Sequence, residues 1–288
     1  MPVLSQTVQP KLWTQRYLLA ALVASIAGLL VYSDAVARVV HVVLNREGSS
    51  HGVFVPFLTG YFIYTVKDRL QDAPVRFCWY GLPLMIAFLV VAWTGLGGYR
   101  LQFVVFVCFV FGSVLTLLGP AVARILAFPL LFLITMTPWP QGLYEKLANL
   151  SRTIAFGGSL QVISWLGIPH VRNGWDIELP NALLQVAISC SGIRYLVSFV
   201  VFGLAYAFLF RSSTTGRVLT VLATIPISLF ASICRLTIIF VMTHYISPFW
   251  SQHKPHVVLS WFVFFSVLFT CILVDQWVGE RRGKGDRR

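Results

Sequence analysis

The segment Cys190-Ser191-Gly192-Ile193-Arg194 combines a thiol with a guanidinium at the start of a long apolar run. Because Cys190 and Arg194 are four residues apart, they share one face of a helix. An arginine next to lipid is energetically costly, so its presence there indicates a function. The thiolate is the nucleophilic form of cysteine, and a nearby cation stabilises it. We therefore expect Cys190 to be a candidate nucleophile.

Arg235 and His256 could complete a catalytic set with Cys190. Arg235 lies inside a predicted membrane helix, about ten residues or roughly 15 Å before its outer end, and His256 opens the next apolar run at the same face. An arginine can hold the oxyanion of an acyl-transfer intermediate, and a histidine can shuttle the leaving-group proton. These three residue types suffice to cleave an amide through a thioester. His244 and His253 are alternatives to His256, and spacing does not separate them.

Each of these residues also has a purely structural explanation. A cysteine at the mouth of a helix can be inert, and Arg194 can extend its guanidinium to the lipid headgroups. Arg235 can form an ion pair with Asp34. His256, which follows a proline, can simply start a helix. The set as a whole therefore remains a hypothesis at this point.

The composition is that of an integral membrane protein. Of the 288 residues, 57% are hydrophobic and 11% are charged, whereas soluble domains average about 25% charged residues. The net charge of +12 does not indicate nucleic-acid binding, because the basic residues flank apolar runs and form no patch. Five cysteines without a CxxC pair predict neither a disulfide framework nor a metal site.

The apolar runs predict an all-α polytopic membrane protein with about eight transmembrane helices. The predicted spans are residues 17–37, 53–66, 77–95, 101–118, 121–137, 193–210, 218–245 and 257–278, with a break at Gly119-Pro120. Residues 1–288 then form a single integral membrane domain. Its parts are five N-terminal spans (17–137), an extracytoplasmic segment (138–192), spans six to eight (193–278) and a basic cytoplasmic tail (279–288).

The extracytoplasmic segment contains two predicted elements. Apolar residues at helical spacing predict an amphipathic helix over residues 141–166, lying in the membrane interface. The residues of this repeat are Leu143, Leu147, Leu150 and Ile154. Asn173-Gly174 is typical of a two-residue hairpin turn, and alternation continues to Val186. A small extracytoplasmic β-hairpin element would thus deliver Cys190 to the outer surface.

The distribution of basic residues predicts the orientation. With eight spans, the termini and the loops on their side hold 13 of the 22 Lys and Arg residues, and the opposite loops hold seven. The positive-inside rule then places both termini in the cytoplasm. Cys190 and all six histidines would face the outside, and the other four cysteines would lie within spans.

From about His51 to Trp261 the sequence resembles the exosortase/archaeosortase family of membrane cysteine transpeptidases. The segment from Cys190 to Arg194 is similar to the nucleophile motif of that family. Its second motif is usually Asn-x-x-Arg, and here Ser232 stands three residues before Arg235. The third motif has a histidine five residues before a tryptophan, as His256 does. Further similar blocks are Ser50-His51-Gly52 through Pro56, Phe128 to Leu133, and Leu166 to Pro169.

The resemblance implies the catalytic set Cys190, Arg235 and His256, with no cofactor and no metal. The implied partners are the lipid bilayer and membrane-anchored protein substrates with C-terminal sorting signals of the PEP-CTERM kind: a short motif, a membrane helix and a basic cluster. Arg194 and Ser232 would bind the substrate or support the cysteine, and His51 would line the same outer cavity. The serine at position 232 leaves the subfamily, and hence the recognised signal, open.

Two other functions remain open from the sequence. One is a non-enzymatic membrane component of exopolysaccharide assembly or export, in which Arg235 would bind an anionic lipid or a sugar phosphate. The other is a small transporter with Arg194 and Arg235 in the substrate path. Transporters commonly contain paired halves with broken helices, and the sequence shows no such duplication.

Overall fold

The computed structural model describes residues 11–45, 49–188, 192–251, 258, 262–263, 265–267 and 269–270, without the side chains of residues 11–14, 50, 194 and 251. The chain divides into two compact units, Met1–Trp139 and Pro140–Arg288. Both units are mostly helical where they are described, which agrees with the predicted class. A small β-sheet belongs to the second unit.

The N-terminal unit is built from helices joined by short connections. Its described helices are α1 (Lys11–Val31), α2 (Ser33–Asn45), α3 (Phe54–Thr65), α4 (Lys67–Gln71), α5 (Gly81–Thr94) and α6 (Gly98–Phe132), with 3-10 turns at Ser50–Val53 and Leu133–Met136. Helix α3 lies where the second span was predicted. Helix α4 lies in a stretch that was predicted as a loop.

The predicted span over residues 17–37 contains a sharp bend. Helices α1 and α2 meet at Tyr32 with a bend of 74°. The Tyr32 side chain is buried, its hydroxyl donates to the carbonyl of Phe88, and its ring packs against Phe106 and Phe109. Such long-range contacts are not visible in a hydropathy pattern. The first turn of α2 contains Asp34, which forms its ion pair with Arg38 at 2.9 Å.

Helix α6 is interrupted where the sequence predicted a break between spans four and five. Gly119 has φ 88° and ψ 174°, far from helical values. Pro120 has no N–H to donate to the carbonyl of Thr116, four residues earlier. The N–H of Cys78 donates to that carbonyl instead, at 2.8 Å. The segment before α5 is thus bonded to the broken helix, and α5 begins at residue 81 and not at the predicted residue 77.

Fewer helices than predicted are long enough to cross a membrane by themselves. Among the described residues, Gly98–Met136 and Thr214–Tyr245 meet this criterion, and the bent pair Gln15–Val31 and Ser33–Asn45 would make a third crossing. Other apolar helices, such as Gly81–Thr94, are shorter. The count of eight crossings therefore stays a prediction.

The C-terminal unit contains three long helices and the sheet. Its described elements are α7 (Gln141–Trp165), β1 (Val171–Asn173), β2 (Asp176–Leu179), β3 (Ala182–Gln185), α8 (Ile193–Phe210), α9 (Thr214–Tyr245) and a 3-10 turn at Pro248–Ser251. Helix α8 has the bounds predicted for span six, and α9 ends where span seven was predicted to end. Most of the predicted eighth span lies outside the described residues, and those that are described within it are helical.

The predicted hairpin is part of a three-stranded antiparallel sheet with the order β1-β2-β3. Asn173 pairs with Asp176, so the two turn residues are Gly174 and Trp175. The predicted turn at Asn173-Gly174 is therefore wrong by one residue. Gly174 has φ 62°, a left-handed conformation that glycine adopts without steric cost.

A helix is present at Gln141–Trp165, as predicted, and its buried face is separate from the apolar repeat that was predicted to lie in the membrane interface. Leu143, Leu150 and Ile154 are 49%, 57% and 40% exposed. The buried face consists of Ala148, Ser151, Arg152, Ala155, Phe156, Ser159 and Ile163. Part of this face forms a core with the sheet and with the C-terminal half of α9. Small residues allow this close approach of helices, and the leucine repeat stays uncovered by the described chain.

Candidate active site

One face of α9 carries polar side chains that are almost fully buried. Ser228, Ser232 and Arg235 are 1%, 0% and 1% exposed. A buried guanidinium is costly unless the surrounding groups offset the loss of water. The residues around Arg235 therefore define the candidate site.

Gly192 brings the start of α8 against α9. Its φ is 77°, and a Cβ at this position would collide with the Oγ and Cβ of Ser232. The carbonyl of Gly192 accepts from the N–H groups of Tyr195 and Leu196 at 3.0 and 3.1 Å. Gly192 is thus both the first residue before α8 and a point of direct contact between the two helices. Only glycine meets both requirements.

Tyr195 covers the guanidinium of Arg235. The Cζ atom of Arg235 lies 5.0 Å from the centre of the Tyr195 ring, and its Nη1 lies 3.5 Å from the Tyr195 hydroxyl. A cation over an aromatic face is attracted by the ring quadrupole, more strongly where water is excluded. Tyr195, which directly follows Arg194 in the sequence, therefore contacts the side chain of Arg235.

Ser232 occupies the position at which the family motif usually has asparagine. Its hydroxyl donates to the carbonyl of Ser228 at 2.8 Å, within α9. The small side chain leaves room for the backbone of Gly192. In this chain, residue 232 therefore determines how closely α8 approaches α9, and its hydroxyl is bonded to its own helix.

Helix α7 also lies beside the candidate site, which was not predicted from the sequence. The Oγ of Ser151 lies 3.8 Å from the position that a Cβ on Gly192 would occupy. Arg152 is 7% exposed, and its Cζ atom lies 3.9 Å from the centre of the Trp175 ring. The signal was the small-residue spacing through Ala148 and Ala155, which the stronger leucine repeat obscured.

A comparison with known families now identifies the chain. A family model described as transmembrane exosortase matches residues 43–273, most of the chain. The chain belongs to the transmembrane exosortase family. It is accordingly a membrane protein. No curated protein and no solved structure matches the chain.

The structure describes the exosortase nucleophile motif only in its second half. Gly192 and Ile193 are described and buried, whereas Cys190, His256 and the side chain of Arg194 lie outside the described residues. The catalytic set of Cys190, Arg235 and His256 therefore stays a prediction. The structure does show that Gly192 contacts Ser232 and that Tyr195 contacts Arg235. These two residues follow Cys190 by two and five positions.

His51, the other predicted site residue, belongs to the N-terminal unit. It lies in the 3-10 turn Ser50–Val53 and is 8% exposed. Burial lowers the pKa of His51 below its ordinary value, and a hydrogen bond to the backbone of Thr135 acts in the opposite direction. Its buried Nδ1 has no hydrogen-bond partner among the described residues. Its role at an outer cavity stays a prediction.

His244, an alternative to His256, lies in the last turn of α9. It follows Arg235 by nine residues, a rise of about 14 Å along the helix axis. Its backbone carbonyl accepts from Nδ2 of Asn181 at 2.7 Å, and its ring packs edge-on against Tyr245 at 4.6 Å. These contacts connect the end of α9 to the turn between β2 and β3. The carbonyl contact does not depend on the side chain, and the buried Nδ1 of the His244 ring has no hydrogen-bond partner among the described residues.

Proposed function

We propose that this exosortase is a membrane-embedded cysteine peptidase or transpeptidase. It cleaves C-terminal tripartite sorting signals of the PEP-CTERM kind at the outer face of the cytoplasmic membrane. The observation that supports this most directly is the double contact between the motif region and α9. Gly192 lies against Ser232, and Tyr195 lies against Arg235. A buried guanidinium next to a cysteine motif fits nucleophilic catalysis better than lipid binding.

The reaction proceeds through a thioester. The Cys190 thiolate attacks the carbonyl carbon of the scissile peptide bond, forming a carbon–sulfur bond and an oxyanion. Arg235 stabilises the negative charge on the thiolate and the oxyanion. The oxyanion collapses, the carbon–nitrogen bond breaks, and His256 gives its proton to the leaving amine. An acceptor amine or hydroxyl, or water, then attacks the thioester and releases Cys190.

The proposed topology has eight crossings with both termini in the cytoplasm. Cys190 and His256 then face the outside, together with the 138–192 segment. The signal of each substrate is attached to a membrane helix and a basic cluster, so its scissile bond lies at the outer boundary of the bilayer. Labelling of intact cells with an impermeant thiol reagent tests this arrangement. It should modify Cys190 and spare the four cysteines of the spans, and labelling of Cys190 only after lysis would contradict it.

Replacement of the cysteine tests the proposed activity. Cys190→Ala and Cys190→Ser should abolish processing of a co-expressed protein that ends in a tripartite signal. Cys108→Ala is the matched control, because Cys108 is a half-buried thiol in α6 of the N-terminal unit. Wild-type chain should also form a hydroxylamine-sensitive adduct with the substrate. Undiminished processing by both Cys190 variants would contradict the cysteine mechanism and favour a non-enzymatic membrane component.

A further inference from the structure

We infer that Tyr195 is a positioning residue of this exosortase: it fixes the guanidinium of Arg235 at the start of α8. The inference rests on the proposed function of Arg235 in the reaction. Tyr195 lies one residue beyond the motif that ends at Arg194, and no motif assigns it a role. Its contacts with Arg235 in the structure are the basis of the inference.

The contact between Tyr195 and Arg235 has two components. The ring lies 5.0 Å from the guanidinium carbon, and the hydroxyl lies 3.5 Å from Nη1. The ring attracts the guanidinium through its quadrupole, more strongly because water is excluded from the site. The hydroxyl contact is long for a hydrogen bond and therefore weak. Of these two contacts, the contact with the ring is the stronger.

The directions of the two side chains explain why they meet. Helical side chains lean toward the N-terminus of their own helix. The side chain of Arg235 thus leans back along α9 toward Ala231, and that of Tyr195 leans along α8 toward Gly192. Both converge beside the contact between Gly192 and Ser232. The two contacts are three residues apart on each helix, so they fix the start of α8 against α9 at two points.

Tyr195 is itself held in place by apolar neighbours. It packs in a cluster around two buried residues, Phe199 and Ala231. The partly buried members of this cluster are Tyr195, Phe202, Ile227 and Val267. A side chain that is fixed by its neighbours can orient a charged partner at little entropic cost. Loss of the ring would free Arg235 to move within the site, and misplacement of about 1 Å can lower a rate by about a hundredfold.

The test uses the full-length chain in liposomes with a tripartite-signal substrate. Tyr195→Leu removes the ring, Tyr195→Phe keeps it, and Arg235→Gln removes the charge. Tyr195→Met serves where the leucine variant is not recovered from the membrane. Tyr206→Leu is the matched control, because Tyr206 lies on the same helix with Arg211 5.9 Å from its ring centre.

Two quantities are measured for each variant. The first is the rate of substrate processing. The second is the rate at which iodoacetamide alkylates Cys190 as a function of pH, followed by mass spectrometry of its peptide. A residue that only supported the fold would lower the yield of protein without moving the pH midpoint of alkylation.

The expected results separate Tyr195 from the control. Tyr195→Leu should process substrate about ten- to a hundredfold more slowly, with its alkylation midpoint shifted upward toward that of Arg235→Gln. Tyr195→Phe should retain processing within about fivefold of wild type, since the lost hydrogen bond is weak. Tyr206→Leu should match wild type in both quantities. The double variant with Tyr195→Leu and Arg235→Gln should have the same processing rate and the same alkylation midpoint as Arg235→Gln alone.

Different results would contradict either the role of Tyr195 or the proposed role of Arg235. Wild-type processing and an unshifted midpoint in Tyr195→Leu, with Arg235→Gln inactive, would overturn the role of Tyr195 alone. Full processing by Arg235→Gln would overturn the proposed role of Arg235. An alkylation midpoint in the double variant above that of Arg235→Gln would show that Tyr195 acts independently of Arg235, which also overturns the inference.

Discussion

The backbone of Gly192 lies directly against the side chain of Ser232, one helical turn before Arg235 on α9. The left-handed conformation of Gly192 ends the polar segment, and α8 begins at the next residue. The start of α8 and the C-terminal half of α9 therefore depend on each other.

Substitution of Gly192 by alanine should damage both stability and activity. The new Cβ would collide with Ser232, and φ 77° is unfavourable for any residue with a Cβ. The left-handed conformation alone costs roughly 1–2 kcal/mol. We expect a lower midpoint of thermal unfolding in detergent and at least about a tenfold loss of substrate processing, which corresponds to about 1.4 kcal/mol.

Gly157→Ala is the control for this substitution. Gly157 is a helical glycine in α7, and a Cβ there would meet nothing within 4 Å. Alanine is favoured over glycine inside helices by about 1 kcal/mol, so this variant should be at least as stable as wild type. If Gly192→Ala behaved in the same way as Gly157→Ala, the close contact with Ser232 would be wrong.

His51 should make stability depend on pH below neutrality. Burial lowers its pKa in the folded chain, whereas the unfolded chain has the ordinary value of about 6.5. The unfolded state then binds the proton more readily. The stability that neutral His51 provides is fully present above the ordinary pKa and is lost as the pH falls from there through the lowered pKa. His51→Gln should remove this part of the pH dependence.

The measurement is the unfolding midpoint of wild type and variant from pH 8 to pH 4 (about four pH units around the titration of histidine). His41→Gln is the matched control, because His41 is an exposed histidine of α2 in the same unit. It should follow the wild-type curve. Parallel curves for wild type and His51→Gln would show that burial of His51 has no part in the acid sensitivity.

The elements that were predicted from the sequence are those with glycine, proline or charged residues at their ends. Gly192 and Arg211 bound the apolar run of α8, and the observed helix has those limits. Pro120 removes a helical N–H, and the break appears at the residue before it. The two turn residues of the hairpin differ from the predicted ones by a single position. Local chemistry was sufficient for the limits of α8 and for the break in α6, and it placed the hairpin turn one residue too early.

Contacts between distant residues could not be predicted in the same way. The bend at Tyr32 depends on Phe88, which lies 56 residues later. Arg235 was a candidate because a charge inside an apolar run is visible in the sequence. Its contact with Tyr195 depends on which faces of α8 and α9 meet, which hydropathy does not specify. Ser151 was missed because only the leucine repeat of its helix was considered, and Ser151 lies on the opposite, buried face.

Arg152 should contribute more to stability than Arg172, although both lie against aromatic rings. Arg152 is buried and stacked on Trp175 at 3.9 Å, whereas Arg172 is exposed and lies 5.0 Å from the centre of the Phe156 ring. Lysine keeps the charge but loses the planar stack. We expect Arg152→Lys to lower stability by about 1–2 kcal/mol and Arg172→Lys by less than about 1 kcal/mol. The shift in unfolding midpoint measures both, and equal shifts would contradict the assigned difference in burial.

His256 should be essential for processing, and His244 should not. In the proposed reaction, His256 protonates the leaving amine, so His256→Ala should lower the processing rate about a hundredfold or more. His244 makes its observed contacts through its backbone carbonyl and the face of its ring. His244→Phe keeps a ring beside Tyr245 and leaves the carbonyl in place, so it should process substrate at nearly the wild-type rate.

A substrate with an activated ester in place of the scissile amide distinguishes the role of His256 from a general loss of structure. An alkoxide or phenoxide leaving group needs little protonation, so His256→Ala should recover much of its rate on such a substrate. Cys190→Ala should remain inactive on both substrates, because no thioester can form. If His244→Phe were inactive on the amide and recovered on the ester, while His256→Ala were unaffected on both, the proton donor would be the histidine of α9 and the assignment to His256 would be wrong.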